Sequence, residues 1–299
     1  MSDNNKPTLL VTGASGKLGQ RVLELLLEAN TANIVAATRS PEKLASFAQR
    51  GVEVRQADFS DPATLPKAFA GVDRLLLIST DTIGSRLDHQ IAAIKAAEAA
   101  GVKHVLYTSI ANLEATSSSF AAPDHYGTEQ ALINSKMGYT FLRNNIYTDM
   151  FLGSLGQAIA SGTIYAASAD GKIGYVTRED CARVAAAALA DNFEGRRILE
   201  VTGPEALSQH DIAQIASTIS GTPVKYVPLP AEALISGMVS AGLPQFVAEL
   251  LASFDTSAAK GELNVVTDVV EKFTGRKPTS VADFLAANRQ ALTQPSAAH

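Results

Sequence analysis

The stretch Leu9-Leu10-Val11-Thr12-Gly13-Ala14-Ser15-Gly16-Lys17-Leu18-Gly19-Gln20 decides the fold of this 299-residue chain. It begins with a short apolar run typical of a buried strand, and residues 22–27 then carry apolar side chains at helical spacing. Between them, Gly13 permits a sharp turn, Gly16 permits close approach of a phosphate, and Gly19 permits tight packing of helix against strand. The free N–H groups at the start of such a helix attract an anion. The stretch therefore predicts a dinucleotide-binding turn.

Strand and helix patterns alternate through the first half of the chain, which favours a sheet of parallel strands joined by right-handed helical crossovers. Further strands are predicted at residues 34–38, 52–55, 74–78, 104–108 and 139–142, and the helices between them at 42–49, from 61, 86–100 and 126–135. The fold class is therefore α/β, a Rossmann-type doubly wound parallel sheet. After Phe151 the alternation loosens, a short strand at 162–165 and a helix at 178–190 follow, and helices dominate from Ser208.

This change in pattern predicts two domains. We expect an NAD(P)-binding Rossmann domain over residues 1–155 and a smaller, mainly helical substrate lobe over residues 156–299. Residues 178–202 have a helix-then-strand pattern, and we expect them to return to the Rossmann sheet. Residues 280–291 are predicted to form one final helix.

The composition excludes several classes of protein. With 46% hydrophobic and 18% charged residues the chain is not generally disordered, and a net charge of −5 without a basic stripe gives no support for nucleic-acid or membrane-surface binding. No apolar run approaches the roughly 18 residues of a membrane helix. The single cysteine and the polar N-terminal segment lead us to expect a cytoplasmic protein. The five histidines lack metal-ligand spacing, so no metal site is expected.

The residue after the second predicted strand indicates which dinucleotide binds. Where NAD-binding sheets carry an acidic residue for the ribose 2′-hydroxyl, this chain has Thr38-Arg39-Ser40. Arg39 can accept a 2′-phosphate, or it can lie on the surface with its charge in water. The first alternative predicts NADPH as the cofactor.

Other cofactor contacts are expected in the glycine turn and just after the strands, where ligands of such sheets bind. Asp58 fits this position and fits a helix-capping role equally well. The full set of expected cofactor contacts is Gly13, Ser15, Gly16, Lys17, Leu18, Arg39, Asp58, Phe59, Ser79, Thr80, Ser109 and Asn144.

The G-x-x-G-x-x-G spacing resembles that of the short-chain dehydrogenase/reductase superfamily, whose members pair a serine with Tyr-x-x-x-Lys. Ser109 follows the fifth strand as that serine should, but Tyr126 has Gln130 four residues on. Without a lysine to lower the tyrosine pKa, ordinary carbonyl reduction has no support. His125, which has Glu129 at the same helical spacing, is a candidate acid/base, with a capping or structural role as the alternative.

The segment Leu142-Arg143-Asn144-Asn145-Ile146-Tyr147 concentrates polar and aromatic side chains after the sixth strand. We expect Asn144 and Tyr147 to take part in catalysis, and Asn145 and Tyr147 to contact the substrate. Arg143 is either a further substrate contact or an internal ion-pair partner.

Residues 11–19, 57–59 and 139–144, together with His125 and Thr128-Glu129, resemble the NmrA-like atypical short-chain dehydrogenase/reductases. The resemblance implies NADPH at the glycine turn and Arg39, with the substrate between the two lobes near 144–147. It also implies direct hydride transfer to a quinone or similar conjugated electrophile, which needs no tuned acid. Two alternatives stay open: an NADP(H)-sensing regulatory protein without turnover, and a triphenylmethane or azo dye reductase. The expected partner is a small-molecule electron acceptor, and a homodimer is left open.

Overall fold

The computed structural model describes residues 6–80, 82 and 84–293. Its first half alternates strands and helices in the predicted order. The elements are β1 (Thr8–Val11), α1 (Lys17–Ala29), β2 (Asn33–Thr38), α2 (Ala45–Gln49), β3 (Glu53–Gln56), α3 (Leu65–Phe69), β4 (Arg74–Leu77), α4 (Arg86–Ala99), β5 (His104–Ile110), α5 (Ala122–Ile133) and β6 (Gly138–Asn144).

The second half is mainly helical, with short strands between the helices. Its elements are α6 (Phe151–Ser161), β7 (Thr163–Ala166), β8 (Lys172–Ile173), α7 (Arg178–Ala190), β9 (Arg196–Val201), β10 (Leu207–Ser208), α8 (Gln209–Ser220), β11 (Lys225–Pro228), α9 (Ala231–Ser240), α10 (Gln245–Ala259), α11 (Val269–Thr274), α12 (Val281–Ala287) and α13 (Arg289–Thr293).

Seven parallel strands form the central sheet in the order β3-β2-β1-β4-β5-β6-β9. The predicted α/β Rossmann-type fold is confirmed. The order reverses where β1 lies between β2 and β4, and the carboxyl ends of β1 and β4 flank this switch point. Ligands of open parallel sheets bind at such a crevice.

The five inner strands of this sheet are mostly buried, as expected when helices cover each face, whereas the edge strands β3 and β9 are partly exposed. Along β1, Leu9 and Val11 face one apolar core with α1 and α7, whereas Leu10 faces the opposite core with α3 and α4. This alternation follows from the two-residue period of a strand. The two faces of the sheet are therefore occupied by core packing, and the carboxyl edge is the part of the sheet that is available for a binding site.

The lobe beyond the sheet has its own apolar core, formed by α6, α8, α12 and the short strands. Strand β9 lies beside β6 in the central sheet, and β7 pairs with β11 in a small parallel sheet of the lobe. Since Tyr147 lies shortly after the end of β6 at Asn144 and bridges to Val176, the lobe is attached at the carboxyl end of β6. Among the described residues, no helix is long and apolar enough to cross a membrane.

Several predicted boundaries were wrong for local reasons. Helix α5 begins four residues earlier than predicted, at Ala122, with Pro123 in its first turn, a position that suits proline. The predicted final helix is interrupted at Asn288 and forms two short helices. Helix α6 was missed because Gly153 and Gly156 lower the helix propensity of its sequence.

Candidate active site

The glycine turn lies at the switch point, between β1 and α1. Gly13 adopts φ +58°, and the Gly16 N–H donates to the Gly13 carbonyl over 2.9 Å. A Cβ atom on Gly19 would lie 2.5 Å from that same carbonyl oxygen, so only glycine allows α1 to pack this closely. No side chain caps the N-terminus of α1, and its first turn contains no acidic residue. The N–H groups of the first turn are therefore available to an anion.

A cavity of about 390 Å³, here called the first cavity, lies beyond the ends of β1, β2 and β4. Eight of the predicted cofactor residues line it: Gly13, Ser15, Gly16, Arg39, Asp58, Phe59, Ser79 and Thr80. The sequence did not indicate the other lining residues, which are Thr12, Ala37, Thr38, Ala57, Ser60, Ile78, Thr82 and His89. Lys17 and Leu18 begin α1, where the Lys17 side chain is exposed and the Leu18 side chain is buried in the core.

Arg39 is exposed at the border of the first cavity. Its guanidinium forms no hydrogen bond or ion pair with any residue that the structure describes, so it is free to meet a ligand phosphate. Nearby, the Asp58 carboxylate accepts bonds from the N–H and the hydroxyl of Ser60, which lower its pKa, and the charge of Arg39 adds to this effect. Asp58 therefore holds the turn that shapes one wall of the cavity, and the Asp61 carboxylate caps the following 3₁₀ turn, Pro62–Thr64, by accepting from the Ala63 N–H.

Two buried polar atoms without partners lie further along the same sheet edge. Ser109 is the last but one residue of β5 and Asn144 is the last of β6, and neither the Ser109 Oγ nor the Asn144 Oδ1 has a hydrogen-bond partner among the described residues. Buried polar groups are nearly always paired, so unpaired atoms at the carboxyl edge of the sheet are available to contact a ligand. Ser109 is in register with Arg143, and Ile110 with Asn144, so the Ser109 and Asn144 side chains leave opposite faces of the sheet close to its carboxyl edge.

Tyr147 links this edge to the lobe. Its hydroxyl accepts a hydrogen bond from the Asn144 amide over 3.0 Å, and the Arg178 guanidinium lies 5.5 Å from its ring centroid. Burial raises the pKa of Tyr147 well above its ordinary value of 10.0. The phenol therefore stays protonated, and because its oxygen is the acceptor towards Asn144, its own proton remains available for donation.

A larger cavity of about 600 Å³, the second cavity, lies in the lobe beyond Tyr147. Most of its wall is apolar or aromatic, with residues such as Phe151, Ile164 and Phe254. Its polar members are mainly side chains that the sequence did not indicate: Ser154, Gln157, Ser161, Thr163, Tyr165, Tyr175, Gln209 and Asp255. Such a wall suits a flat, conjugated molecule held by a few polar contacts.

Three of these missed residues lie in separate segments. The Tyr175 hydroxyl accepts from the Gln209 amide over 3.2 Å, and burial raises the Tyr175 pKa. The Asp255 carboxylate accepts from the Ala167 N–H over 2.8 Å, and burial raises its pKa to about 6. The one sequence signal for this group is an isolated acid after the apolar run Leu250-Leu251-Ala252-Ser253-Phe254.

The structure places His125 away from both cavities formed by the described residues. Its Nδ1 lies 2.8 Å from the Tyr107 hydroxyl, which also contacts the Gln90 amide. Burial lowers the His125 pKa to about 3, so the ring is neutral at ordinary pH. This geometry favours the structural role that the sequence left open over the acid/base role.

We expect buried histidines to make the fold sensitive to acid. The pKa values of His125 and His104 fall to about 3 and about 4 from 6.5, mainly through burial. Because the unfolded chain binds these protons first, the free energy of unfolding should decrease as pH falls below 6.5. Each histidine contributes up to about 1.4 kcal/mol per pH unit. Urea unfolding at a series of pH values measures how the free energy of unfolding changes with pH. This change should be smaller for His125→Gln than for the wild type, and equal changes would contradict the role of the buried ring.

Arg143 and Asn145 line neither cavity in the described structure, and both are occupied by internal contacts. Arg143 donates to both carboxylate oxygens of Glu129 at 3.0 and 2.7 Å, and it lies 3.3 Å from Glu200. Asn145 donates to the Leu263 carbonyl over 3.0 Å. The geometry of Arg143 favours the ion-pair alternative, and Asn145 joins the end of β6 to the segment after α10.

Comparisons with known proteins agree with this arrangement. The model of the NmrA-like family matches residues 5–285. Quinone oxidoreductase 2 of Escherichia coli is 37% identical over 279 residues, which cover 93% of this chain and 97% of that protein. The NAD(P)H azoreductase of Xenophilus azovorans is 32% identical over 294 residues, covering 95% of this chain and 99% of that protein.

Two solved structures resemble the chain along nearly its whole length. The NADPH-dependent quinone oxidoreductase of Escherichia coli, complexed with NADPH, superposes with a TM-score of 0.90 at 36% identity. The triphenylmethane reductase of Citrobacter sp., complexed with NADP(H), gives a TM-score of 0.85 at 34% identity. Each match covers 94% of this chain and 99% of the other.

Proposed function

Since the chain belongs to the NmrA-like family, we propose that it is an NADPH-dependent oxidoreductase that transfers hydride to a quinone or a similar conjugated electrophile. The observation that carries this proposal is the continuity of the sheet edge. It runs from the glycine turn beside Arg39, across the carboxyl ends of β4 and β5, to Asn144 at the end of β6 and to Tyr147, which lines the second cavity. A cofactor and an acceptor bound along it would meet end to end.

The chain's own residues supply binding, orientation and exclusion of water. The first N–H groups of α1 suit the pyrophosphate, and Arg39 suits the 2′-phosphate. The unpaired polar atoms of Ser109 and Asn144 fit the polar groups of the nicotinamide end. When bound, NADPH supplies the hydride, and the apolar wall of the second cavity keeps water from the acceptor.

The similarity to an azoreductase and a triphenylmethane reductase supports conjugated dyes as further acceptors. The second cavity is consistent with this, because its aromatic wall suits any flat conjugated molecule. The regulatory alternative has less support, since a protein that only binds the cofactor has no need of an apolar cavity beside its nicotinamide end.

We propose that Tyr147 donates a hydrogen bond to the acceptor oxygen during hydride transfer. Because its oxygen accepts from Asn144, its proton is available to another acceptor. Tyr147→Phe removes that donor and is expected to lower kcat for a quinone about 10-fold. Initial rates of NADPH oxidation measure this effect.

The matched control is Tyr139→Phe, which removes a hydroxyl from β6 far from both cavities. This variant should keep the wild-type kcat. Equal rates for Tyr147→Phe and the wild type would contradict the proposed role of Tyr147.

The proposed function is tested by mixing the pure protein with NADPH and a panel of quinones and triphenylmethane dyes. We expect NADPH absorbance to decrease with at least one acceptor, without added flavin or metal. NADPH binding without oxidation across the whole panel would contradict the proposal and leave the sensing alternative.

A further inference from the structure

The second cavity contains a carboxyl group that the mechanism above does not use. Asp255 lies on α10 and is half-buried. Among the described residues that line this cavity, it is the only acidic one. One of its oxygens accepts from the Ala167 N–H over 2.8 Å. The other oxygen has no hydrogen bond, and the carboxylate has no ion-pair partner, among the residues that the structure describes.

The surroundings of Asp255 make its carboxyl easier to protonate than an exposed aspartate. Burial is the main reason that its pKa rises to about 6. The phenols of Tyr175 and Tyr226 face it, and their own pKa values are raised, so neither carries a charge at ordinary pH. The charged residues of β8 and α9, which pack against α10, are Lys172 and Glu232, and the segment that provides the Ala167 N–H carries Asp170; all three are exposed. Asp255 can therefore hold and release a proton near neutral pH.

We propose that Asp255 is a further catalytic residue, which donates a proton to an oxygen of a quinone held in the second cavity. This proposal rests on the proposed function. The hydride from NADPH brings one hydrogen and two electrons to the quinone, and the O–H bond of the Asp255 carboxyl breaks as a hydroquinone O–H bond forms. NADPH is oxidised, the quinone is reduced, and water returns a proton to the carboxylate.

The two acceptor classes separate this role from a structural one. A quinone needs both a hydride and a proton to become a hydroquinone. A triphenylmethane dye cation needs only the hydride, which bonds to its central carbon and leaves a neutral product. Loss of a proton donor should therefore slow the first reaction and spare the second.

The test compares Asp255→Asn with the wild type on both acceptors. Asparagine keeps an oxygen that can accept from the Ala167 N–H but cannot donate an acid proton. We expect kcat for the quinone to fall about 100-fold. In the wild type this kcat should increase as pH falls through about 6 and then level off, and the variant should lack that step. For the dye, kcat at saturation should be unchanged.

Controls keep this test interpretable. Glu249→Gln makes the same charge change on α10 outside the cavity and should leave both reactions unchanged. NADPH binding and thermal unfolding check that Asp255→Asn is folded. If Asp255→Asn does not fold, Asp255→Glu serves instead, because it retains an acid and should retain the increase in quinone kcat as pH falls through about 6.

Parallel decreases in kcat for quinone and dye, or an unchanged quinone kcat and pH step, would overturn the role of Asp255 and leave the proposed function intact. A folded Asp255→Glu variant without the pH step would overturn it as well. A wild-type protein that oxidises NADPH with neither acceptor would overturn both proposals.

Discussion

Gly19→Ala is expected to abolish measurable NADPH binding. The added Cβ would lie 2.5 Å from the Gly13 carbonyl oxygen and 2.8 Å from the Ala14 Cα. Both are backbone atoms of the turn, so the conflict is relieved only by moving α1 away from β1. That movement displaces the N–H groups that suit the pyrophosphate. Overpacking of this kind also costs about 3 kcal/mol of the free energy of unfolding.

Isothermal titration with NADPH and urea unfolding measure the two effects. The matched control is Gly153→Ala in α6, where a Cβ would meet no atom within 4 Å and the helix would gain stability. If Gly19→Ala bound NADPH with the wild-type affinity, close packing of α1 against the turn would not be required for cofactor binding.

Arg39→Asp is expected to reverse the cofactor preference. Arg39 forms no hydrogen bond or ion pair with the described residues and lies just after the end of β2, where a 2′-phosphate would be recognised. A hydrogen-bonded charge pair with the phosphate is worth about 1.5–3 kcal/mol, and aspartate adds repulsion. We therefore expect NADPH affinity to fall about 100-fold, while NADH affinity stays the same or improves through the ribose 2′-hydroxyl.

Titration of the variant with both cofactors measures this reversal. Lys95→Glu places the same change of charge on the exposed face of α4 and should leave both affinities unchanged. A retained preference for NADPH in Arg39→Asp would mean that Arg39 lies on the surface without a role in cofactor choice.

The part of the site nearest the sheet was predictable because its signals are local. A strand, three glycines and a helix lie within one continuous stretch, and Arg39 follows the next strand directly. The rule that ligands bind at the carboxyl ends of parallel strands then indicated Asn144 and Tyr147. These inferences need only the sequence order of the strands.

The second cavity could not be predicted because its polar residues meet only through tertiary packing. Tyr175, Gln209 and Asp255 come from three segments of the lobe with no shared motif. The role of His125 depended likewise on burial beside Tyr107, which neither residue's local sequence reveals. For Arg143 the sequence left two alternatives, and only the position of Glu129 and Glu200 favours one of them.

The most direct test of the central claim is a single-turnover measurement of hydride transfer. Protein loaded with NADPH, or with NADPH carrying deuterium at the transferable position, is mixed rapidly with one equivalent of quinone. We predict that the cofactor absorbance is lost in step with quinone reduction, and that deuterium slows the loss. Cofactor that stays bound and unoxidised while the quinone is unchanged would contradict the claim.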